Sequence, residues 1–266
     1  MAHTPWPVIM LPGGVLPAQL AYEGLLAELG DEVDARVKDL EMYAGDAVPP
    51  PGYSLEIEVE GILRMAAATG FETFHLVGYS AGGASSLAFA ARHPDRLRSL
   101  ALLEPAWAGR TGQSAEEATV YDRLRSISDL PADQVMPAFV QLQLATGVDP
   151  PSPPPGPPPP WMASRLAAMR VFPAVLEAAE LDFDALRRFD RPVYFALGGR
   201  SNPDLYGRIA GRLGETFPDF TLEVYPERHH FDPPHRIEPA RLAAALRSLW
   251  TRAEPGGRDA TGLTTA

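Results

Sequence analysis

Short apolar runs closed by turn residues alternate along this chain with segments of helical spacing. Val8–Leu11 ends at Pro12-Gly13-Gly14, Phe74–Val77 ends at Gly78, and Leu97–Leu103 ends at Glu104-Pro105. Val193–Leu197 runs into Gly198-Gly199, and Thr221–Tyr225 stops at Pro226. Short, largely apolar runs of this length predict strands, with Val8–Leu11 and Phe74–Val77 read as buried ones. Between them, Leu55, Val59, Ile62, Leu63 and Ala66 share one helical face, as do Ala84, Leu87, Ala88 and Ala91. Leu205, Ile209, Leu213 and Phe217 form a third stripe, and Leu242, Leu246, Leu249 and Trp250 a fourth. The second of these helices should stop near His93, because the residue before Pro94 is pushed out of helical space. Strands alternating with helices imply an α/β fold with a mostly parallel central sheet and helices on both faces.

The rhythm breaks between residues 106 and 189. This interval reads as helical, with candidates at Ala115–Ile127, Ala132–Ala145 and Trp161–Ala179. Between the last two lies a proline-rich run over residues 149–160. Proline lacks an N–H, so the run cannot be helix or central strand and should be an extended connector. A stiff surface loop is the plain reading. A rim over a pocket and a docking strip for a proline-reading domain are the sharper ones. The expected organisation is therefore a core over 1–105 and 190–252, a helical cap over 106–189, and a disordered tail over 253–266.

Composition narrows the partners. Lys and Arg total 23 against 34 Asp and Glu, a formal net charge of −11. Recognition of a nucleic-acid backbone needs clustered cations, so no nucleic-acid partner is expected. The charge says nothing about a small-molecule site; a small-molecule substrate is expected from the candidate chemistry below. The absence of cysteine excludes disulfides, thiolate metal sites and a Cys nucleophile. No stretch approaches the 18 or so apolar residues of a membrane span, and Met1–Pro5 lacks the basic start of a secretory signal. The expectation is a cytoplasmic chain with no membrane partner.

Four elements carry candidate chemistry. Gly78-Tyr79-Ser80-Ala81-Gly82 stands between a strand and a helix. A sharp turn there lifts the Ser80 hydroxyl above the sheet's carboxyl edge, at a helix N-terminus that favours negative charge. An oxyanion needs preorganised N–H donors. Ala81 should supply one and the loop after the first strand the other, best placed at Gly14, with Val15 adjacent. Among the histidines, His75 within a strand and His93 at a helix end read as structural, and His3 lies in the N-terminal arm. His229, His230 and His235 follow the last strand, where a base can reach Ser80. His230 is preferred because Phe231 follows it, with His229 the alternative. No Asp stands in the loop Gly198-Gly199-Arg200-Ser201-Asn202-Pro203, where the acid would commonly lie. Glu104, at the carboxyl end of the preceding strand, is preferred over Asp204.

These pieces together resemble the α/β-hydrolase family, over roughly residues 6–252. The likeness rests on Leu11-Pro12-Gly13-Gly14, Gly78-Tyr79-Ser80-Ala81-Gly82-Gly83 and His229-His230-Phe231. The order Ser80, Glu104, His230 keeps the nucleophile–acid–base sequence. Some members place the acid as Glu-Pro after the earlier strand, which Leu103-Glu104-Pro105 resembles. Pro12 stands where members usually have His. Ser at the elbow, rather than Asp, separates the chain from epoxide hydrolases and haloalkane dehalogenases.

The resemblance implies a serine hydrolase of an ester, thioester or lactone, working through an acyl-enzyme and needing no metal or cofactor. The same elbow supports carbon–carbon bond hydrolysis of diketone-like substrates. A silent ligand-binding protein and an interaction module built on the proline run are further alternatives. The cap residues Val120, Leu124, Phe139, Leu142, Met162, Leu166 and Met169 could line an acyl pocket, or simply form cap core.

Overall fold

The computed structural model describes residues 4–44, 49–152 and 155–254. Six strands form one sheet, ordered β2-β1-β3-β4-β5-β6. They are β1 (Trp6–Leu11), β2 (Val33–Val37), β3 (Phe74–Tyr79), β4 (Leu97–Leu103), β5 (Val193–Gly198) and β6 (Phe220–Tyr225). Every pairing is parallel.

Five strands coincide with the apolar runs; β2 was not predicted. Its sequence, Val33-Asp34-Ala35-Arg36-Val37, is half-buried throughout and pairs only with β1. Asp34 and Arg36 form an ion pair at 2.5 Å on this edge. A short edge strand with alternating charges lacks the continuous apolar signal of a central one, and charge there discourages edge-to-edge association.

Successive strand residues point to opposite faces, and both faces are apolar. Val8, Met10, Val77, Ala101 and Leu103 pack with Tyr22 and Leu25 of α1 (Ala18–Leu29) and with Leu242 and Leu246 near the C-terminus. Ile9, Leu11, Leu76, Leu100 and Leu102 pack on the other side. Their partners there include Val59 and Ile62 of α2 (Leu55–Thr69) and Ala84 and Leu87 of α3 (Ala81–Arg92). The order of connection reverses between β1 and β3, the switch point beyond whose carboxyl ends open α/β sheets place their ligands.

Between β4 and β5 runs a helical insertion: α4 (Ala115–Ser126), α5 (Ala132–Leu142), α6 (Met162–Ala178) and the short α7 (Phe183–Arg187). Ser114 caps α4 by accepting the Glu117 N–H. Pro137 and Pro173 lie within α5 and α6. Along the proline run the described residues form neither helix nor strand and are exposed; Pro153 and Pro154 lie outside the described residues. Beyond β5 come α8 (Arg208–Thr216), α9 (Pro234–Ile237) and α10 (Pro239–Ala253). Arg212 of α8 ties down the start of the insertion. Its Nη1 donates to the carbonyls of Ala108, Gly109 and Thr111 at 2.6–3.0 Å, and its Nη2 meets the buried Glu117 at 2.5 Å. α10 includes Ala253, the first residue assigned to the expected tail; residues 255–266 of that expectation lie outside the described residues.

Candidate active site

The turn between β3 and α3 is set by close packing. A Cβ on Gly78 would lie 2.5 Å from the Gly82 carbonyl oxygen, and one on Gly82 would lie 2.5 Å from that of Pro12. Glycine at both positions lets the loop after β1 approach the elbow, and the Gly82 N–H donates to the Pro12 carbonyl at 3.0 Å. The Ser80 N–H donates to Leu103 at the end of β4, and the Ala106 N–H returns a bond to the Ser80 carbonyl. Among the described residues only two non-glycines have positive φ, Ser80 at 52° and Glu104 at 46°. Such conformations are strained and persist where the surroundings over-determine them. Here they sit at the ends of neighbouring strands.

The loop after β6 completes the group. His230 Nε2 lies 2.9 Å from Ser80 Oγ, and His230 Nδ1 lies 3.0 Å from Glu104 Oε2. The other carboxylate oxygen, Glu104 Oε1, accepts the Gly198 N–H at 2.8 Å. All three side chains are buried. The ring of Tyr206 stacks on His230, with centroids 4.4 Å apart and planes 13° from parallel. The Tyr79 hydroxyl donates to the His230 carbonyl. The structure thus brings Ser80, His230 and Glu104 into one hydrogen-bonded line. Neither sequence alternative joins it. His229 accepts the Phe231 N–H on its own Nδ1 at 3.2 Å, with burial lowering its pKa. Asp204 is exposed in the wide helical turn Pro203–Gly207. Ser201, where an acid commonly stands, is buried, and its Oγ meets no hydrogen-bond partner among the described residues.

Gly14, Ser80 and Ala81 line one narrow, mostly apolar cavity of about 50 Å³. Ala81 is the first residue of α3, so its N–H has no acceptor within the helix. The insertion closes the cavity with Leu124, Phe139, Met169, Phe172 and Leu176. Of the cap residues named from sequence, Leu124, Phe139 and Met169 therefore line it, whereas Val120 is buried in the core nearby.

Two residues at this site carried no sequence signal. Tyr206 is the one stacked on His230. Tyr43 belongs to the short helical turn Glu41–Tyr43 that follows β2, lines the cavity, and donates its hydroxyl to the Gly14 carbonyl at 2.5 Å. The turn itself hangs on buried Glu58, whose carboxylate accepts the N–H groups of Glu41 and Met42 at 3.0 Å and the Tyr53 hydroxyl at 2.7 Å. Burial raises the Tyr43 pKa to about 12, keeping its hydroxyl protonated as a donor.

The other histidines lie apart from this line. His75 is buried against Trp250 and bonded to Ser99 Oγ at 2.8 Å; His93 ends α3; His3 lies outside the described residues. His235 is buried between Tyr22 and Tyr79. A larger cavity of about 490 Å³ lies between the start of the insertion and α8, but Ser80, Glu104 and His230 do not line it. Its Arg212 and Glu117 are the pair that holds the insertion. Among the described residues no group of three or more His, Asp or Glu side chains could hold a metal ion, and no helix is long and apolar enough to cross a membrane.

A parallel α/β sheet with a serine elbow after its third strand and a histidine loop after its last defines a class of hydrolase folds. Residues 59–233 match the model of the alpha/beta hydrolase fold family, and the chain belongs to that family. A curated protein of Caulobacter segnis, named "Putative carbamate hydrolase RutD", is 39% identical over 57 residues. That match spans 21% of each chain, so this chain covers about one fifth of that relative's length. MGS-M2, an alpha/beta hydrolase enzyme from a Medee basin deep-sea metagenome library, superposes with a TM-score of 0.71 at 12% identity, covering 96% of this chain and 92% of its own. Carboxylesterase CesB of Bacillus subtilis superposes with a TM-score of 0.63 at 15% identity, covering 93% and 84%. At these identities the structural likenesses speak for the fold.

Proposed function

We propose that this chain is a serine hydrolase that cleaves an ester, thioester or lactone through an acyl-enzyme on Ser80. The observation that carries the reading is the unbroken line from Ser80 Oγ through His230 to Glu104, with contacts of 2.9 and 3.0 Å. Ser80 Oγ attacks the carbonyl carbon as His230 Nε2 takes its proton. The N–H groups of Gly14 and Ala81 hold the oxygen that becomes negative. Collapse of the tetrahedral adduct expels the leaving group, which receives the proton from His230. Water then attacks the acyl-enzyme, giving a proton to the same nitrogen; the second tetrahedral adduct breaks its bond to Ser80 Oγ, which takes that proton back, and the acid is released. Glu104 holds the Nδ1–H of the imidazole, setting the tautomer and stabilising the cation. A carbamate carbonyl makes the same demands. The Caulobacter segnis match makes a carbamate the first compound to add to a panel of esters, thioesters and lactones.

The test is Ser80→Ala. It should abolish p-nitrophenyl ester turnover and labelling by a fluorophosphonate while leaving the thermal unfolding profile of a folded protein. Activity retained in Ser80→Ala would overturn the assignment. The helical insertion is read as a cap that sets acyl-group choice, supported by its lining of the cavity at Ser80.

A further inference from the structure

Arg165 is an expensive residue to keep where it is. It lies in the first turns of α6, only 4% exposed. Among the described residues its one carboxylate contact is Asp39, 3.5 Å from Nη2 and itself half exposed, and that same Asp39 oxygen already accepts the Ala18 N–H. Nε and Nη1 meet no hydrogen-bond acceptor among the described residues. A buried guanidinium so sparsely paired is a net burden on stability unless it performs another task. What it does contact is Tyr43: the guanidinium carbon lies 3.5 Å from the centre of the Tyr43 ring. Tyr43 in turn holds the Gly14 carbonyl. On the α6 face that carries Arg165, the residues at the following helical spacings, Ala168, Met169 and Phe172, line the cavity over Ser80.

We infer that Arg165 is a positioning residue: by stacking on Tyr43 it fixes the loop that presents the Gly14 N–H, and so couples the seating of α6 to formation of the oxyanion site. This rests on the serine-hydrolase reading and extends it. The Tyr43 hydroxyl reaches the Gly14 carbonyl only while its ring is held in place. Two supports hold it, the Glu58-anchored turn below and the Arg165 guanidinium, a cation favoured against an aromatic face. Loss of the guanidinium frees the ring, the bond to Gly14 weakens, and the donor is no longer preorganised when the oxyanion forms. An α6 displaced from the cavity would carry Arg165 away from Tyr43 and leave the hole loose. With α6 seated, the hole is set.

Three variants test this: Arg165→Met, Arg165→Lys and Tyr43→Phe. Fluorophosphonate labelling of Ser80 is the first readout, because it uses the oxyanion donors and needs no known substrate. Arg165→Met should slow labelling roughly tenfold, as expected for a weakened rather than deleted donor. On a p-nitrophenyl ester it should lower kcat with KM little changed. Arg165→Lys, which keeps a cation on the ring, should restore most of the rate. Tyr43→Phe should be at least as slow, and the double variant Tyr43→Phe/Arg165→Met should be no slower than Tyr43→Phe alone. The second readout is hydrogen exchange at the amides of residues 13–15, which should accelerate in Arg165→Met and in Tyr43→Phe whether or not a substrate is in hand. Unchanged exchange, additive losses in the double variant, or a rise in KM alone would overturn the inference; the last would place Arg165 directly on the substrate. Loss of Ser80 labelling in the wild type would instead sink the nucleophile assignment, while the exchange measurement still decides the role of Arg165.

Discussion

At the scale of single residues, the site depends on two strained backbones side by side. Ser80 and Glu104 both hold φ values that L-residues avoid, and each is pinned by bonds to a neighbouring strand or loop. If Glu104 orients the imidazole, Glu104→Gln should lower kcat by a factor of about 10²–10⁴, within the range seen when a triad acid is neutralised. Asp204→Asn, at an exposed position, should stay within about twofold. A collapse in Asp204→Asn with Glu104→Gln intact, measured by steady-state kinetics on one ester, would reverse the assignment. Ser80, Glu104 and His230 were legible in the sequence because each sits at a strand's carboxyl end beside a recognisable turn. Tyr43 and Tyr206 were not. Tyr43 depends on β2, whose charged alternation hid it, so the loop behind β2 could not be placed at the site. Tyr206 stacks on His230 from a turn with no pattern of its own. Aromatic contacts made across the fold leave no local trace.

At the scale of elements, the helices of the insertion could be read from their spacing, but what they enclose could not. The cavity at Ser80 holds about 50 Å³, room for a few waters and far below the roughly 300–1,000 Å³ of typical ligand pockets. If the proposed acyl-enzyme forms here, its acyl group needs the side chains of α5 and α6 to give way. Phe172→Ala should enlarge this space. The expected result is a shift of kcat/KM toward longer p-nitrophenyl acyl esters, by about tenfold for hexanoate relative to acetate. An unaltered chain-length profile would show that Phe172 does not bound the acyl site. Arg212 anchors the other end of the insertion through three carbonyls and Glu117. Arg212→Met leaves Glu117 buried without its partner, a loss of about 3–5 kcal/mol for a buried pair broken on one side. Chemical denaturation should report it as a lowered midpoint.

At the scale of the whole molecule, the α/β class and the parallel core followed directly from alternating apolar runs, and the sheet's edge did not. The buried histidines make the fold sensitive to acid. Burial pushes the pKa of His75 and of His235 down to about 3, against about 6.5 in an unfolded chain. Between those values the unfolded chain binds more protons than the folded one, so stability falls as the pH drops. It is fully present above about pH 6.5 and declines toward pH 3, by up to about 1.4 kcal/mol per pH unit for each group. The melting temperature should already decrease between pH 6.5 and 5, above the range where ordinary carboxylates protonate. His75→Gln should flatten that slope, whatever it does to stability at neutral pH. A melting temperature constant over this interval would contradict the burial argument.

The spacing of the three side chains along the chain has a consequence for biosynthesis. Ser80 and Glu104 follow adjacent strands that pair Tyr79 with Leu103, whereas His230 arrives 126 positions after Glu104. A growing polypeptide can shape the bend and its carboxylate early, yet under the proposed mechanism it would stay inert until the loop behind the final strand has left the ribosome and docked.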